Sequence, residues 1–477
     1  MYNKAPIYAS LVAYAADNNL RLHMPGHIGE PGYLVKELQE IAKLDLTEVA
    51  DIDDLHLPVG AIKEAQSLLA QAFKAKESLF LVNGATSGVH ALLLSLANKG
   101  KKVVIPRNAH RSFYGGLVLS GLWPEYLSLA MEPNTGIALG ITPQAVKSVL
   151  ESGNDIGGVF LTSPTYYGTT LDIGSIADDC RLYNIPLFID EAHGSHFPFH
   201  PAYPTPALWQ GADAVVNGLH KSWPVLNQGA CLHLAAACKG DQEIKTAVSL
   251  ITTTSPSFPL LASIDLARAL MEEMGTDLLE KSLQLSREFK NKINTIKGLS
   301  SLSEEFKDVI GVYEIDPLKV LVRVQGLSIN GYELANILRR EYKIQVELQE
   351  EAIILAMFSM FHRRSHWEKF YYALEQIARR YNIDSLKQNV TVIPPAPQVI
   401  LTPRQAYYSQ KRTVKLEESA GLISGEIVAA YPPGIPGLLP GELITAEIID
   451  YLLYLRANKV RIQGPRDSQL LSIDVTL

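Results

Sequence analysis

The sequence predicts an α/β protein: a large domain on a mainly parallel sheet covered by helices on both faces, then smaller α/β C-terminal parts. Three observations carry that expectation. From about Ala61 the chain alternates short apolar runs with helix-length amphipathic segments. Each run is bounded by Gly, Pro or Asn and is short enough for a strand buried on both faces. After about Ser255 the pattern changes to densely charged helices and a shorter strand series.

Taken in order, Pro6 to Leu20 reads as an amphipathic helix, and the H-M-P-G-H pentad from His23 to His27 as a loop, because Pro and Gly interrupt it. Val103 to Ile105, Gly158 to Thr162, Pro186 to Asp190 and Asp213 to Val216 read as buried strands. Ile264 to Met274 and Asp277 to Lys292 read as two helices. A strand at Val320 to Val324, a helix at Glu333 to Glu341 and strands at Ile344 to Leu348 and Ile353 to Phe358 suit a small α/β subdomain. I-P-P-A-P at Ile393 to Pro397 reads as a stiff connector. The last informative segment is Y-P-P-G-I-P-G-L-L-P-G-E, Tyr431 to Glu442.

Composition narrows the function classes. At 477 residues, 47% hydrophobic and 19% charged, the chain reads as soluble and globular. Forty-three basic against fifty acidic residues give a net charge of -7, the wrong sign for general attraction to nucleic acid. No stretch approaches the roughly 18 apolar residues of a membrane span, and the N-terminus lacks a signal peptide's basic and apolar segments. Cys180, Cys231 and Cys238 form no C-x-x-C pair, which suits free thiols in a reducing compartment. The expectation is a cytoplasmic protein with no nucleic-acid or membrane partner.

His220-Lys221 closely follows the apolar D-A-V-V run, and Asp190 ends the run P-L-F-I-D. A Lys near a buried strand end is costly unless paired or covalently used. An acid and a Lys at two strand ends suit pyridoxal phosphate (PLP): the Lys holds the aldehyde as a Schiff base and the carboxylate keeps the pyridine nitrogen protonated. A structural Lys-Asp ion pair explains the two residues equally well when they are taken alone. N-G-A-T-S-G at Asn83 to Gly88 resembles a phosphate-binding turn opening a helix, though Ser and Thr also serve as ordinary caps. R-N-A-H-R-S at Arg107 to Ser112 puts His110 on a loop after a strand, where it could stack on a cofactor ring or simply hydrogen-bond. His193, His196 and His200 with Asp190 and Glu191 raise a metal alternative; Pro198 breaks the helix such spacing would exploit, so no metal is assigned. No G-x-S-x-G elbow, Walker lysine loop or G-x-G-x-x-G occurs.

Together these segments resemble the ornithine/lysine/arginine decarboxylases, a PLP-dependent family of the aspartate-aminotransferase (type I) fold, over nearly the whole chain. The resemblance rests on H-M-P-G-H, then D-D-L-H within Asp51 to Gln66, then N-G-A-T-S-G, R-N-A-H-R-S, S-P-T-Y-Y-G, D-E-A-H-G-S-H and H-K in family order. T-T-T-S-P-S-F-P-L-L-A-S-I-D at Thr252 to Asp265 and the terminal P-G-E complete it. It implies a PLP-binding large domain at 31–265 with a seven-stranded, mostly parallel sheet. An N-terminal arm at 1–30, a small subdomain at 266–392 and a C-terminal decarboxylase domain at 393–477 flank it.

By the same resemblance Lys221 is the Schiff-base lysine, Asp190 the pyridine partner, His110 the stacking ring and His193 a contact near the reactive face. Ala85, Thr86 and Ser87 with His220 hold the phosphate. Ser255 and Ser257 approach the neighbouring subunit's cofactor, implying a homodimer with shared sites, and Glu442 meets the substrate's distal cation. The chain departs from the pattern at Gly218, where Ser is common, at Ile28, where Lys is common, and at Gly437, where a bulky apolar residue stands. It starts near the catalytic region, as the short, wingless, biosynthetic members do. The implied reaction is decarboxylation of a basic amino acid for polyamine synthesis, with arginine ranked before lysine and ornithine. An aminotransferase or other lyase of the same fold, which could use Arg323 on the substrate carboxylate, and a silent decarboxylase-like regulator are the alternatives.

Overall fold

Seven strands make the principal sheet: β1 (Glu77–Leu81), β2 (Lys102–Pro106), β3 (Trp123–Leu127), β4 (Ile156–Thr162), β5 (Leu187–Asp190), β6 (Ala214–Asn217) and β7 (Ala230–Leu234). Their order is β1-β7-β6-β5-β4-β2-β3. The computed structural model describes residues 4–29, 36–132, 135–301, 306, 309–384, 397–430, 436–458 and 460–477. β2 runs parallel to β3 and β4, and β5 parallel to β6, whereas β7 is antiparallel to both β1 and β6. The L-F-I-D and A-V-V-N runs are buried along their whole length, as strands of a covered parallel sheet should be. The four strand segments read from the sequence are all present, shifted by at most two residues at an end.

The chain divides into two compact units, Met1–Ser95 with Pro186–Leu279, and Leu96–Ile185 with Glu280–Leu477. In the first, the Pro6–Ala16 helix is latched by Asp265, which accepts the Ile7 N–H at 2.8 Å, and by buried Arg268, which bonds Asp265 and the Lys4 carbonyl. The Ala61–Phe73 helix begins under Asp53, whose carboxylate accepts N–H groups from Val59, Gly60, Ile62 and Lys63. The Gly84–Ser95 helix packs close to the sheet at Gly88, where an added Cβ would lie 2.8 Å from Leu81 and 2.9 Å from Val216.

In the second unit, Ser300–Ser301, Lys319–Arg323, Ile353–Met357 and Leu348–Gln349 form a four-stranded antiparallel sheet. Its core of Val320, Val322, Ile354, Leu334, Leu338 and Trp367 is shared with the Gly331–Tyr342 and Arg364–Tyr381 helices. Asn330 and Glu333 close a capping box at the first of these helices. Towards the C-terminus, Lys411–Lys415 pairs with Ser472–Thr476, and the Ala446–Ala457 helix buries Ile448 and Leu452 in a separate core.

Three local expectations are corrected. The first helix stops at Ala16, because Asn18 turns into the left-handed region (φ 53). The two helices read at 264–274 and 277–292 are one, Phe258–Ile293. Gly275 costs that helix about 1 kcal/mol of propensity but brings its backbone against Phe199, whose Cβ would lie 3.3 Å from an added Cβ. At 344–348 only Leu348 joins the sheet: Lys343 takes a left-handed cap (φ 57), and the following residues are spent leaving the helix. The connector expected at 393–397 lies outside the described residues up to 396, as does 431–435 of the terminal motif. Among the described residues no helix is long and apolar enough to cross a membrane.

Candidate active site

Two adjacent strand ends of the first unit bring the candidate residues Asp190, His193 and Lys221 together. Asp190 closes β5, 5% exposed, and its Oδ1 accepts the Ala192 N–H at 3.1 Å. Oδ2 has no hydrogen-bond partner among the described residues. β6 ends at Asn217 and passes through Gly218 into a short turn bearing His220 and Lys221. Lys221 Nζ lies 3.2 Å from His193 Nε2. An ammonium only donates, so with Lys221 charged the His193 ring accepts at Nε2 and keeps its proton on Nδ1.

The two turns are stitched together. Gly218 N–H donates to the Ala192 carbonyl (3.2 Å), Asn217 Nδ2 to the Glu191 carbonyl (2.9 Å), and Trp223 Nε1 to the Ser195 carbonyl (3.1 Å). Ser195 Oγ meets Ser222 Oγ at 3.0 Å. A side chain at 218 would put Cβ 2.9 Å from the Ala192 carbonyl oxygen and 3.3 Å from Lys221 Cδ. Gly218 therefore lets the lysine turn sit directly on the aspartate turn.

Glu191, beside Asp190, is fully buried; its carboxylate accepts the Ala207 N–H at 2.8 Å and Asn217 Nδ2 at 3.2 Å. Burial, helped by the Asp190 charge and opposed by those two donors, pushes its pKa up to about 8. Near neutral pH Glu191 is therefore largely a neutral acid. His196 packs edge-on against Phe197 and Tyr203, and His200 Nδ1 accepts the Ala202 N–H. Among the described residues no three His, Cys, Asp or Glu side chains converge as a metal cage.

The first turn of the Gly84–Ser95 helix is the stretch that could hold an anion. Gly84, at φ +70, donates to the Gln228 carbonyl, while His220 bonds the next carbonyl, Gly229, through both its N–H and Nδ1 (3.0 Å). The 228–229 turn thus holds the Ala85-Thr86-Ser87 turn and the His220-Lys221 turn at neighbouring anchor points. First-turn N–H groups lack helical partners and carry the positive end of the dipole. Ser87 Oγ donates to the Gly84 carbonyl at 2.9 Å, and in a helix opening at Gly84 the Ala85 and Thr86 N–H groups are the ones left without a helical partner. A buried acid with one open oxygen, a lysine at the adjoining strand end and a helix N-terminus fit PLP's ring nitrogen, aldehyde and phosphate respectively.

Other expected residues stand elsewhere. Ser255 and Ser257 are exposed at the start of the Phe258–Ile293 helix, and the nearby Thr253 carbonyl is bound by His56 of the D-D-L-H motif at 3.0 Å. His110 belongs to the second unit, exposed, and caps the Arg111–Ser120 helix by accepting the Ser112 N–H. Glu442 is buried there with both oxygens occupied: Arg107 reaches each of them, and Leu439 N–H donates to Oε2 at 2.7 Å. Burial raises the Glu442 pKa, and Arg107 opposes that rise. Arg323 is paired with Glu132 at 3.2 Å and lies over the Phe306 ring. Sequence reasoning passed over Asn217, Ser195 and Arg107. A polar Asn closing the otherwise apolar A-V-V run was the one visible signal.

Comparison with known proteins follows the same lines. The family description "Orn/Lys/Arg decarboxylase, major domain" matches residues 5–366, and "Orn/Lys/Arg decarboxylase, C-terminal domain" matches residues 386–465. An arginine decarboxylase of Halalkalibacterium halodurans is 33% identical over 478 residues, covering 99% of this chain and 97% of the relative. An arginine decarboxylase of Bacillus subtilis is likewise 33% identical, over 99% of this chain and 98% of its own. The solved constitutive lysine decarboxylase of Escherichia coli superposes with a TM-score of 0.84 at 20% identity, over 99% of this chain and 82% of that one; it speaks for the fold alone.

Proposed function

The chain belongs to the Orn/Lys/Arg decarboxylase family, and from that premise we propose that it is a PLP-dependent decarboxylase of a basic L-amino acid, with arginine the substrate and agmatine the product. The observation that carries the proposal is the pair of strand-end turns, with open, buried Asp190 on one and Lys221 with His193 against it on the other. Arginine is ranked first because arginine decarboxylases match it over almost its entire length. Bound PLP supplies an electron sink for the pair left on Cα when carbon dioxide departs.

The chain's own residues do the rest. With PLP bound, the Lys221 primary amine would anchor its aldehyde. Asp190 Oδ2 would then accept the pyridine N–H and keep that proton in place, and the neutral neighbour Glu191 adds no second charge to compete with it. The Ala85-Thr86-Ser87 turn would hold the phosphate of bound PLP, Ala85 and Thr86 contributing the N–H groups without helical partners. His220 Nδ1 donates to a carbonyl, so its Nε2 can donate to phosphate only when the ring carries both protons. Decarboxylation consumes one proton at Cα, and Lys221 and His193, 3.2 Å apart, are the pair that delivers it.

The resemblance assigns the substrate's distal cation to Glu442, where a substrate would have to compete with Arg107. An aminotransferase reading is disfavoured by Arg323, whose guanidinium is engaged by Glu132. Exposed Leu20, Leu22, Met24, Leu57, Val59 and Leu250 support a homodimer, in which Ser255 and Ser257 would serve the neighbouring site. A cytoplasmic role in polyamine synthesis completes the proposal. Carbon dioxide release from arginine, lysine and ornithine, measured in parallel with PLP added and Lys221→Ala as control, tests it. Release from arginine that the variant lacks supports the reading, and silence on all three overturns it.

A further inference from the structure

Asn217 closes β6 as a polar residue inside the core, 0% exposed, next to the glycine that opens the lysine turn. β5 and β6 pair in parallel register up to Asp190 opposite Val216, and Glu191 N–H carries the ladder on to the Val216 carbonyl at 2.9 Å. An evenly spaced parallel ladder would next bring Gly218 N–H to the Glu191 carbonyl. Here Gly218 N–H reaches one residue further, to the Ala192 carbonyl at 3.2 Å. The Glu191 carbonyl thereby loses its ladder donor, and the Asn217 side chain replaces it, Nδ2 donating at 2.9 Å. The same nitrogen donates to the Glu191 carboxyl at 3.2 Å, whose other oxygen takes the Ala207 N–H at 2.8 Å. Both amide hydrogens are spent on one residue.

We infer that Asn217 is a positioning residue for the reaction: its amide stands in for the missing ladder bond where β5 and β6 part, and so sets the spacing between the Asp190–His193 turn and the Lys221 turn. This rests on the PLP-dependent reading of those turns. The reach is short on both sides. Glu191 directly follows Asp190 and stands two residues before His193, and only three residues separate Asn217 from Lys221. Lys221 N–H is itself bound to the Gly218 carbonyl at 2.9 Å, so a shift of Gly218 carries the lysine with it. Asn217 Oδ1 is buried with no hydrogen-bond partner among the described residues. An amide oxygen left unpaired in the core works against stability; packing alone does not explain an Asn here, and the need for a donor does.

The test compares Asn217→Asp, close in size but with an acceptor facing the Glu191 carbonyl, and Asn217→Leu, which supplies no donor, as PLP-loaded enzymes. The Trp223 and Ser195 bonds across the two turns remain in both, so the turns stay together while their spacing relaxes. His233→Ala and Asp53→Ala, at polar residues of the same unit that serve folding, are the controls. Steady-state arginine kinetics per bound PLP and the visible circular dichroism of PLP held by Lys221 are the readouts. Each Asn217 variant should lose about 100-fold in kcat, the scale of an ångström-sized misplacement. KM for arginine should change by less than about threefold, and the dichroic band should be altered. Both controls should keep the parent's kcat and band.

An unchanged kcat and band in either Asn217 variant would overturn the inference. An equal loss in the controls would overturn it too, by making the effect one of stability, and so would failure of both Asn217 variants to fold. A KM raised about 100-fold with kcat and band intact would put Asn217 on the substrate instead. If the parent shows no PLP band, the cofactor reading fails and the inference falls with it. If the parent binds PLP but releases no carbon dioxide, only the decarboxylase reading fails, and the band of the Asn217 variants still decides the inference.

Discussion

Two polar clusters in the first unit contain similar side chains and point to opposite roles. At the ends of β5 and β6, Lys221 meets His193 while Asp190 keeps one oxygen open. Within β7 and β1, His233 is 0% exposed, stacked on Phe73 at 4.0 Å, and bonded at both ring nitrogens, to Ser78 Oγ at 2.7 Å and to Cys231 Sγ at 3.1 Å. A Cys-His-Ser set looks catalytic on paper. Here burial pushes the thiol well up and the imidazole down to about 3, so both stay neutral, satisfied and out of reach of any substrate. What separates chemistry from packing is an open valence beside a charged neighbour, not the residue types.

The comparison can be broken at either end. The largest effect should follow Asp190→Ala: carbon dioxide release abolished, with unfolding free energy in urea within about 1 kcal/mol of the parent. A loss of folding instead would make Asp190 a structural residue like His233. Conversely, His233→Ala should cost about 2–5 kcal/mol, from the cavity and from the stranded Ser78 hydroxyl, and leave kcat per folded enzyme unchanged. Because His233 in the folded chain stays neutral down to about pH 3, the unfolded chain binds the extra proton below about 6.5. Stability therefore falls as pH drops through that window, by up to about 1.4 kcal/mol per unit, and the variant should flatten that acid slope in urea melts.

Glu191 supplies the opposite slope. With its folded pKa raised to about 8 from 4.5, the native state holds the proton that the unfolded chain has lost. Its contribution is present below about 4.5 and lost as pH rises through 8, again by up to about 1.4 kcal/mol per unit. Glu191→Gln should remove this slope, read as equal unfolding free energies on either side of neutrality. A persistent slope would assign it to another group. The smallest effect belongs to a purely structural acid: Asp53→Ala should cost about 1–2 kcal/mol as a lost helix cap with activity per folded enzyme intact.

Much of this was legible in advance, for identifiable reasons. The runs L-F-I-D and A-V-V-N are apolar because both faces of a parallel strand are covered, and a polar residue at the end of such a run is conspicuous. β7 was not legible. Its A-C-L-H-L places a His and a Cys inside the core, and only the cross-strand pairing of Ser78 with His233 and of Asn217 with Cys231 explains how they are satisfied. The single long helix was hidden by Gly275, which reads as a breaker in one dimension and as a close approach to Phe199 in three.

The sequence by itself determined the fold class and the strand ends and singled out Lys221 and Asp190 as the candidate pair, because these depend on local periodicity and on residue types rarely buried without cause. Only the tertiary structure decided which valences remain open. Hydrogen-bond satisfaction is a property of neighbours: Glu191 is neutralised by its surroundings, Gly218 is small because the Ala192 carbonyl lies against it, and Glu442 is held by an arginine from the opposite end of the chain.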